Sequence, residues 1–339
     1  MSGGKLLGDD NSKLPSGDVA ILRFLAAAEL VESDFWQQYN ELGGVNGGNP
    51  AYKAALENLD SDMPQYVADN TDDEMSHAAF LDAYLLAKGE QPVNLDAFRT
   101  LPSSKATGAN QSIRRLTNLS ALTVDTSWYT RYRATGNPDF GTTFPQAVKI
   151  VGEPTIPQND GDTPPSQMQP VPPVGARETR MQAIANAAAF HFATFDAAGS
   201  SVYTNLSLRV TSPDVLRIIV SILGVEVNHF AVWHDKAGNA VSQPLAGVRD
   251  PETGVNFPDL NSPPFGGEAF QTNLIFPEPC EFVAQNLPPC AVIRPSTVGA
   301  VATATAIAAS HIFDGQPQAF FNAVLGLAMA ADAAKRGDD

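Results

Sequence analysis

The sequence predicts an all-α fold, a four-helix bundle with one long crossover connection, long irregular insertions and further C-terminal helices. Three observations carry this. Four long segments have helical periodicity bounded by start and stop signals. No stretch shows convincing strand alternation. The segments fall as a helix pair, a long connection and a second helix pair, which is the connectivity of a bundle with one crossover. With 339 residues, 43% hydrophobic and 17% charged, the chain has material for a sizeable core and is too apolar for bulk disorder.

The first long helix is predicted from about Asp18 to Glu41, capped by Ser16 or Asp18 and stopped by the GGVNGG run at Gly43. Asn49-Pro50 reads as N-cap and first helical residue of the next segment. Pro64 divides that segment into a short helix and a second long helix, which ends before Gly89. Residues 90–176 lack sustained periodicity and form an insertion too long for an ordinary connection. A third long helix covers about Arg177 to Leu206. The fourth opens at Ser212-Pro213-Asp214, a cap, a proline and an acid suited to the first turn, and closes at Gly238. Helical signals return at Val298 to Phe313 and Gln316 to Arg336. The expected organisation is residues 1–240 as the bundle with its crossover insertion, and 241–339 as a loop-rich extension whose helices pack on it.

The net charge of -16 repels phosphate backbones and anionic membrane surfaces and attracts cations. Nucleic acid is therefore excluded as an expected partner, and the aromatic- and arginine-bearing segment Val124 to Gly141 reads as a loop over the bundle. No uninterrupted apolar run approaches the roughly 18 residues of a membrane span; the best, Val215 to Val227, contains Arg217 and Glu226. The N-terminus shows no export signal, which favours the cytoplasm. Low lysine content and Asn/Thr/Pro-rich loops instead fit the mature form of an exported protein, so the compartment stays open. Cys280 and Cys290 fit no common zinc spacing, and a local disulfide and two unpaired thiols are equally open. Phosphate-binding, dinucleotide-binding and nucleophile-elbow motifs are absent.

The chemistry is carried by two Glu-x-x-His pairs, Glu74/His77 and Glu226/His229. With 13 glutamates and five histidines in 339 residues, chance supplies about 0.2 such pairs, so two are informative. Residues i and i+3 are neighbours on a helix surface, and both can reach one metal ion. At about 100° per residue, Glu226 and His229 share a stripe with Ile219, Ile222, Phe230 and Trp233, and Glu74 and His77 share one with Ala78, Leu81 and Leu85. These groups point where the core belongs, and a buried carboxylate must be protonated, hydrogen-bonded or metal-bound. In the first helix Glu29 lies on the inward stripe with Trp36 seven residues later, and Glu32 stands about 60° off it. In the third, Asp196 and Tyr203 repeat the scheme.

Six ligand-type residues thus converge: Glu29, Glu74, His77, Asp196, Glu226 and His229. Their four carboxylates balance two divalent ions, with both histidines binding as neutral imidazoles. The expected arrangement places Glu29 and His77 on one ion, Asp196 and His229 on the other, and Glu74 and Glu226 between them. Carboxylate-rich coordination suits iron or manganese. Glu32 is expected as a shoulder residue bonded to His or water, His191 as a core or surface histidine, and Trp36 and Tyr203 as core aromatics.

The segments AAAELVESDFWQQY, DDEMSHAAFLDAYL, FDAAGSSVY and ILGVEVNHFAVWH resemble the ferritin-like superfamily, specifically the bacterial ferritin-like domain proteins related to plant desiccation-related proteins. The helices that hold them cover about a third of the chain. The resemblance implies a four-helix bundle and a metal-site pattern on the same six positions. It also implies a departure: the family pattern has Glu where this chain has Asp196, whose shorter side chain calls for a backbone shift or a bridging water. The expected chemistry is oxidation of Fe(II) or consumption of dioxygen or peroxide. The alternative is a structural or stress protein, self-assembling through its insertions as a homo-oligomer, on a scaffold whose metal site has decayed.

Overall fold

A computed structural model describes residues 13–131, 144–162, 176–266, 277, 286–291 and 298–337. Among these, the long helices are α1 (Ser16–Gly43), α3 (Met63–Ala87), α5 (Ala176–Ser207) and α6 (Pro213–Ala240), with the short α2 (Pro50–Leu59) between the first two. The fold is the expected all-α bundle. α1 packs along α3, and α5 along α6. Ser33 bonds the Glu74 carbonyl and Thr71 that of Trp36, so α1 and α3 are antiparallel. Contacts of Glu29 with Tyr203 and of Tyr39 with His191 make α1 and α5 antiparallel too. α3 and α5 therefore run parallel, and the chain between them must return the length of the bundle. That is the physical reason for the crossover.

The capping signals are mostly where the sequence puts them. The Asn49 side chain accepts from the Tyr52 amide at 3.0 Å, with Pro50 opening α2, and Ser212 caps α6 ahead of Pro213. The start of α1 differs. Neither Ser16 nor Asp18 caps it; Pro15 precedes the helix without a side-chain bond. Asp18 is inside the helix, and its two oxygens accept from the Thr211 and Ser212 amides at the entrance to α6. A tertiary partner has taken the residue that local propensity assigned to a cap.

The crossover is not strand-free. β1 (Leu122–Val124) and β2 (Ile150–Glu153) pair antiparallel, with the one-turn α4 (Trp128–Arg131) between them. Strands of three and four residues are too short to show alternation. Trp128 is buried and donates to Thr194 on α5 at 3.0 Å, so the described part of this aromatic segment does lie over the bundle. The remainder of it, 132–141, falls outside the described residues, as does Cys280; Cys290 is exposed. The C-terminal helices are α7 (Ala300–Ala309) and α8 (Gln318–Ala333), shorter than expected at both ends. They pack on each other, α8 against α1 and α7 against α5.

Asp34 pins the crossover to α1. Fully buried, it accepts from the Leu116 and Thr117 amides at 3.0 and 2.9 Å and from the Thr117 hydroxyl at 2.7 Å, and it pairs with Arg99 at 2.6 Å. Removing the carboxylate strands several donors at once. Asp34→Ala is expected to cost about 3–5 kcal/mol in urea denaturation; a loss below about 1 kcal/mol would mean the crossover is held elsewhere.

α6 is long and apolar enough to cross a membrane by length and composition, with mean hydropathy 1.7 in its most apolar window. Arg217 and Glu226 break its apolar run without much lowering the average. In the bundle it lies along α5 with Glu226 and His229 buried.

Candidate metal centre

The site lies where the two helix pairs face each other. α1 supplies Glu29, α3 Glu74 and His77, α5 Asp196, and α6 Glu226 and His229, all buried. The six form two overlapping groups, Glu29–Glu74–His77–Glu226 and Glu74–Asp196–Glu226–His229, within each of which one ligand atom per residue lies within 4.8 Å of the others. Glu74 and Glu226 belong to both. The short Asp196 still reaches its group.

His77 Nδ1 faces three carboxylates: Glu74 Oε2 at 3.2 Å, Glu29 Oε2 at 3.4 Å and Glu226 Oε1 at 3.6 Å. His229 Nδ1 faces Glu74 Oε1 at 3.1 Å, while its Nε2 reaches outward to Asp73 Oδ2 at 3.0 Å. A carboxylate behind an imidazole fixes the ring and its tautomer and leaves the inner nitrogen for a ligand. Glu74 is aimed by Asn70, whose Nδ2 donates to Oε1 at 2.8 Å and whose Oδ1 accepts from Trp233 Nε1 at 2.8 Å. The Tyr203 hydroxyl donates to Glu29 Oε1. Beyond lies an aromatic layer: Trp36 stacks on Phe192 at 4.6 Å and on Trp233 at 5.4 Å between ring centroids. Trp36 is thus the core aromatic expected, whereas Tyr203 touches a ligand-type residue.

Burial and mutual charge set the protonation. Burial pushes Glu29 up to about 7, helped by the neighbouring Glu74 charge. Burial, then adjacent carboxylates, hold Glu32 and Glu226 well above the usual range; burial does the same for Asp196, against the pull of His229. Glu74 goes the other way: hydrogen bonds from His229 and His77 overcome its burial and hold it at about 2. Burial works against a charge on the imidazoles, but the carboxylates facing them raise His77 to about 10 and His229 to about 9. Without metal the site is neutralised by protons.

Do these residues fit a pair of metal ions? Both oxygens of Asp196 and Oε2 of Glu226 are buried with neither a hydrogen-bond nor an ion-pair partner among the described residues. Groups so placed carry a full desolvation penalty that coordination would relieve. Gly199 adds to the fit. A Cβ there would stand 2.4 Å from Glu226 Oε2, so the glycine is what lets this carboxylate lie against α5. The donor set fits.

A family model described as a ferritin-like domain matches residues 17–239, two-thirds of the chain and all four long helices. The chain belongs to the ferritin-like domain family. No curated protein and no solved structure matches it. α7 and α8, at 300–309 and 318–333, lie beyond the part that matches the ferritin-like domain.

Glu32 joins neither group; its Oε2 is buried and unpartnered. It is the α1 counterpart of Gly199, each three residues after its helix's ligand-type carboxylate, so the two halves of this ferritin-like bundle differ at that position. His191 is a core histidine bonded to the Tyr39 hydroxyl, and burial depresses it to about 3. Sequence reasoning missed Asn70, Asp73 and Gly199. Asn70 carried a signal, a polar residue one turn before Glu74 on the same stripe. Asp73 carried none, because an exposed aspartate on a helix is unremarkable until its partner on another helix is known.

Proposed function

We propose that the chain is a metalloprotein whose bundle holds a dinuclear iron or manganese centre. Glu29 and His77 would hold one ion and Asp196 and His229 the other, with Glu74 and Glu226 shared between them. The single observation that carries this is the sharing of Glu74 and Glu226 between two groups of converging ligand atoms, with both Asp196 oxygens and Glu226 Oε2 otherwise unsatisfied. Such a centre supplies oxidation of Fe(II) or consumption of dioxygen or peroxide. The protein's own residues then have distinct parts. Asn70 and Asp73 orient Glu74 and His229, Tyr203 steadies Glu29, and the aromatic layer keeps water from one side. In the resemblance to desiccation-related proteins, the reading extends to protection against oxidative stress.

A second reading has one observation in its favour. Glu74 paired between His77 and His229 is an ion network that stands without metal, as a structural stress protein with a decayed site would require. Elemental analysis of protein purified from its own host separates the two. The dinuclear reading expects about two ions of iron or manganese per chain, and a fall in melting temperature on chelation. Metal-free protein whose melting is unmoved by added Fe(II) or Mn(II) would establish the second reading instead.

A further inference from the structure

Two clefts lie against α5 on the side away from α6, and they share a wall. The outer, of about 330 Å3, is bounded by β1 and β2, by α5 and by α7, and its rim carries the exposed Gln146 and Lys149. Apart from that rim its lining is chiefly apolar, with Val124, Ile150 and Ala306 among it. The inner, of about 60 Å3, is bounded by α1, α5, α7 and α8. Phe195 of α5 and Ile307 of α7 line both clefts and form the partition between them. At its deep end the inner cleft meets Glu32, Gly199 and Tyr203. These touch the candidate centre: Tyr203 bonds Glu29, and Gly199 lies against Glu226. Glu32 ends the cleft with a buried, unpartnered oxygen.

We propose that the two clefts are chambers of one passage that binds a small, uncharged, apolar molecule and leads it to the metal centre. The outer chamber lies within the usual size range for small-molecule sites, and the inner takes only about four or five water-sized atoms, the end of an alkyl chain or a diatomic gas. Charge argues for an uncharged occupant. Apart from Glu32 at the deep end and Asp125 and Lys149 at the outer cleft, an ionised group would be buried among uncharged side chains, and the net charge of -16 opposes anions in particular. α7 lines both clefts and α8 the inner one, and both helices lie outside the ferritin-like match at 17–239. The choice of molecule would then be a property of this chain's own extension.

The passage's destination rests on the dinuclear reading, but its occupancy does not and is testable on metal-free protein. Crystals under xenon pressure are expected to show xenon in both chambers, since dry apolar cavities take up xenon. Toluene binding, read by ligand-observed NMR, is expected to weaken about tenfold or more in Ala306→Trp, which fills the outer chamber, and in Ile307→Trp, which closes the partition. Helical content by circular dichroism and metal content should match the parent in both variants. Xenon in neither chamber, xenon in the outer one alone, or equal toluene binding by parent and both variants would overturn the passage. Toluene and xenon binding by a protein that takes up no metal would sink the dinuclear reading and leave the apolar site standing.

Discussion

Replacing Glu226 with glutamine is expected to strip both metal ions from the protein while leaving its metal-free fold intact. The argument rests on two properties of this side chain. It belongs to both groups of converging ligand atoms, so neither ion keeps its coordination without it. In the metal-free site burial and neighbouring carboxylates favour its neutral acid form, which glutamine copies in shape and charge. The variant therefore removes the anion that bridging needs and little else. Metal content should drop from about two ions per chain to nearly none, with melting of the chelated protein close to that of the chelated parent. Glu29→Gln, at a residue confined to one group, should leave about one ion. Glu74→Gln is the less clean experiment. That carboxylate is the counter-charge for both His77 and His229, and its loss would strand two buried cations. If Glu226→Gln kept a full complement of metal, Glu226 would not be a bridge and the pairing of the two groups would be accidental.

Metal uptake is expected to release at least two protons per chain near neutral pH. The count follows from the site. His77 and His229, raised to about 10 and about 9, give up one each, Glu29, at about 7, about half of one, and Asp196 and Glu226, which burial raises above their usual range, add to the total. Affinity should therefore climb with pH and level off as pH passes 9 to 10. The same groups fix the stability of the metal-free protein. Each of these folded-state pKa values lies above its unfolded value, so the contribution is fully present below the unfolded pKa and is lost as pH rises through the folded one. For the two histidines that window runs from about 6.5 to about 10. Chelated protein should melt at falling temperature across it, and the metal-loaded form should not. Calorimetric titration in two buffers of different ionisation enthalpy gives the proton count. Release of fewer than about one proton would show that the ions bind elsewhere.

How much of this was legible in the sequence differs by kind of feature. The bundle and the starts of α2 and α6 were, because Asn49-Pro50, Ser212-Pro213 and the apolar stripes are local patterns. The convergence of six ligand-type side chains was legible too, since i, i+3 spacing and stripe membership fix where a helical residue points. What escaped depends on partners distant in sequence. Asp18 looks like a cap and instead receives the amides before α6. Asp34 looks like an ordinary helix aspartate and instead anchors the crossover. Gly199 has no side chain to announce a role, and its function appears only when Glu226 is laid beside it. The three- and four-residue strands carry too few positions for a period to show.

The most direct test of the central claim is a crystal structure of the Mn(II)- or Fe(II)-soaked protein, with anomalous maps recorded at the metal edge. Two peaks are expected inside the bundle, one beside Glu29 and His77 and one beside Asp196 and His229, with Glu74 and Glu226 contacting both. A map with no peak among these six residues, or with one ion held by one group alone, would contradict the dinuclear centre.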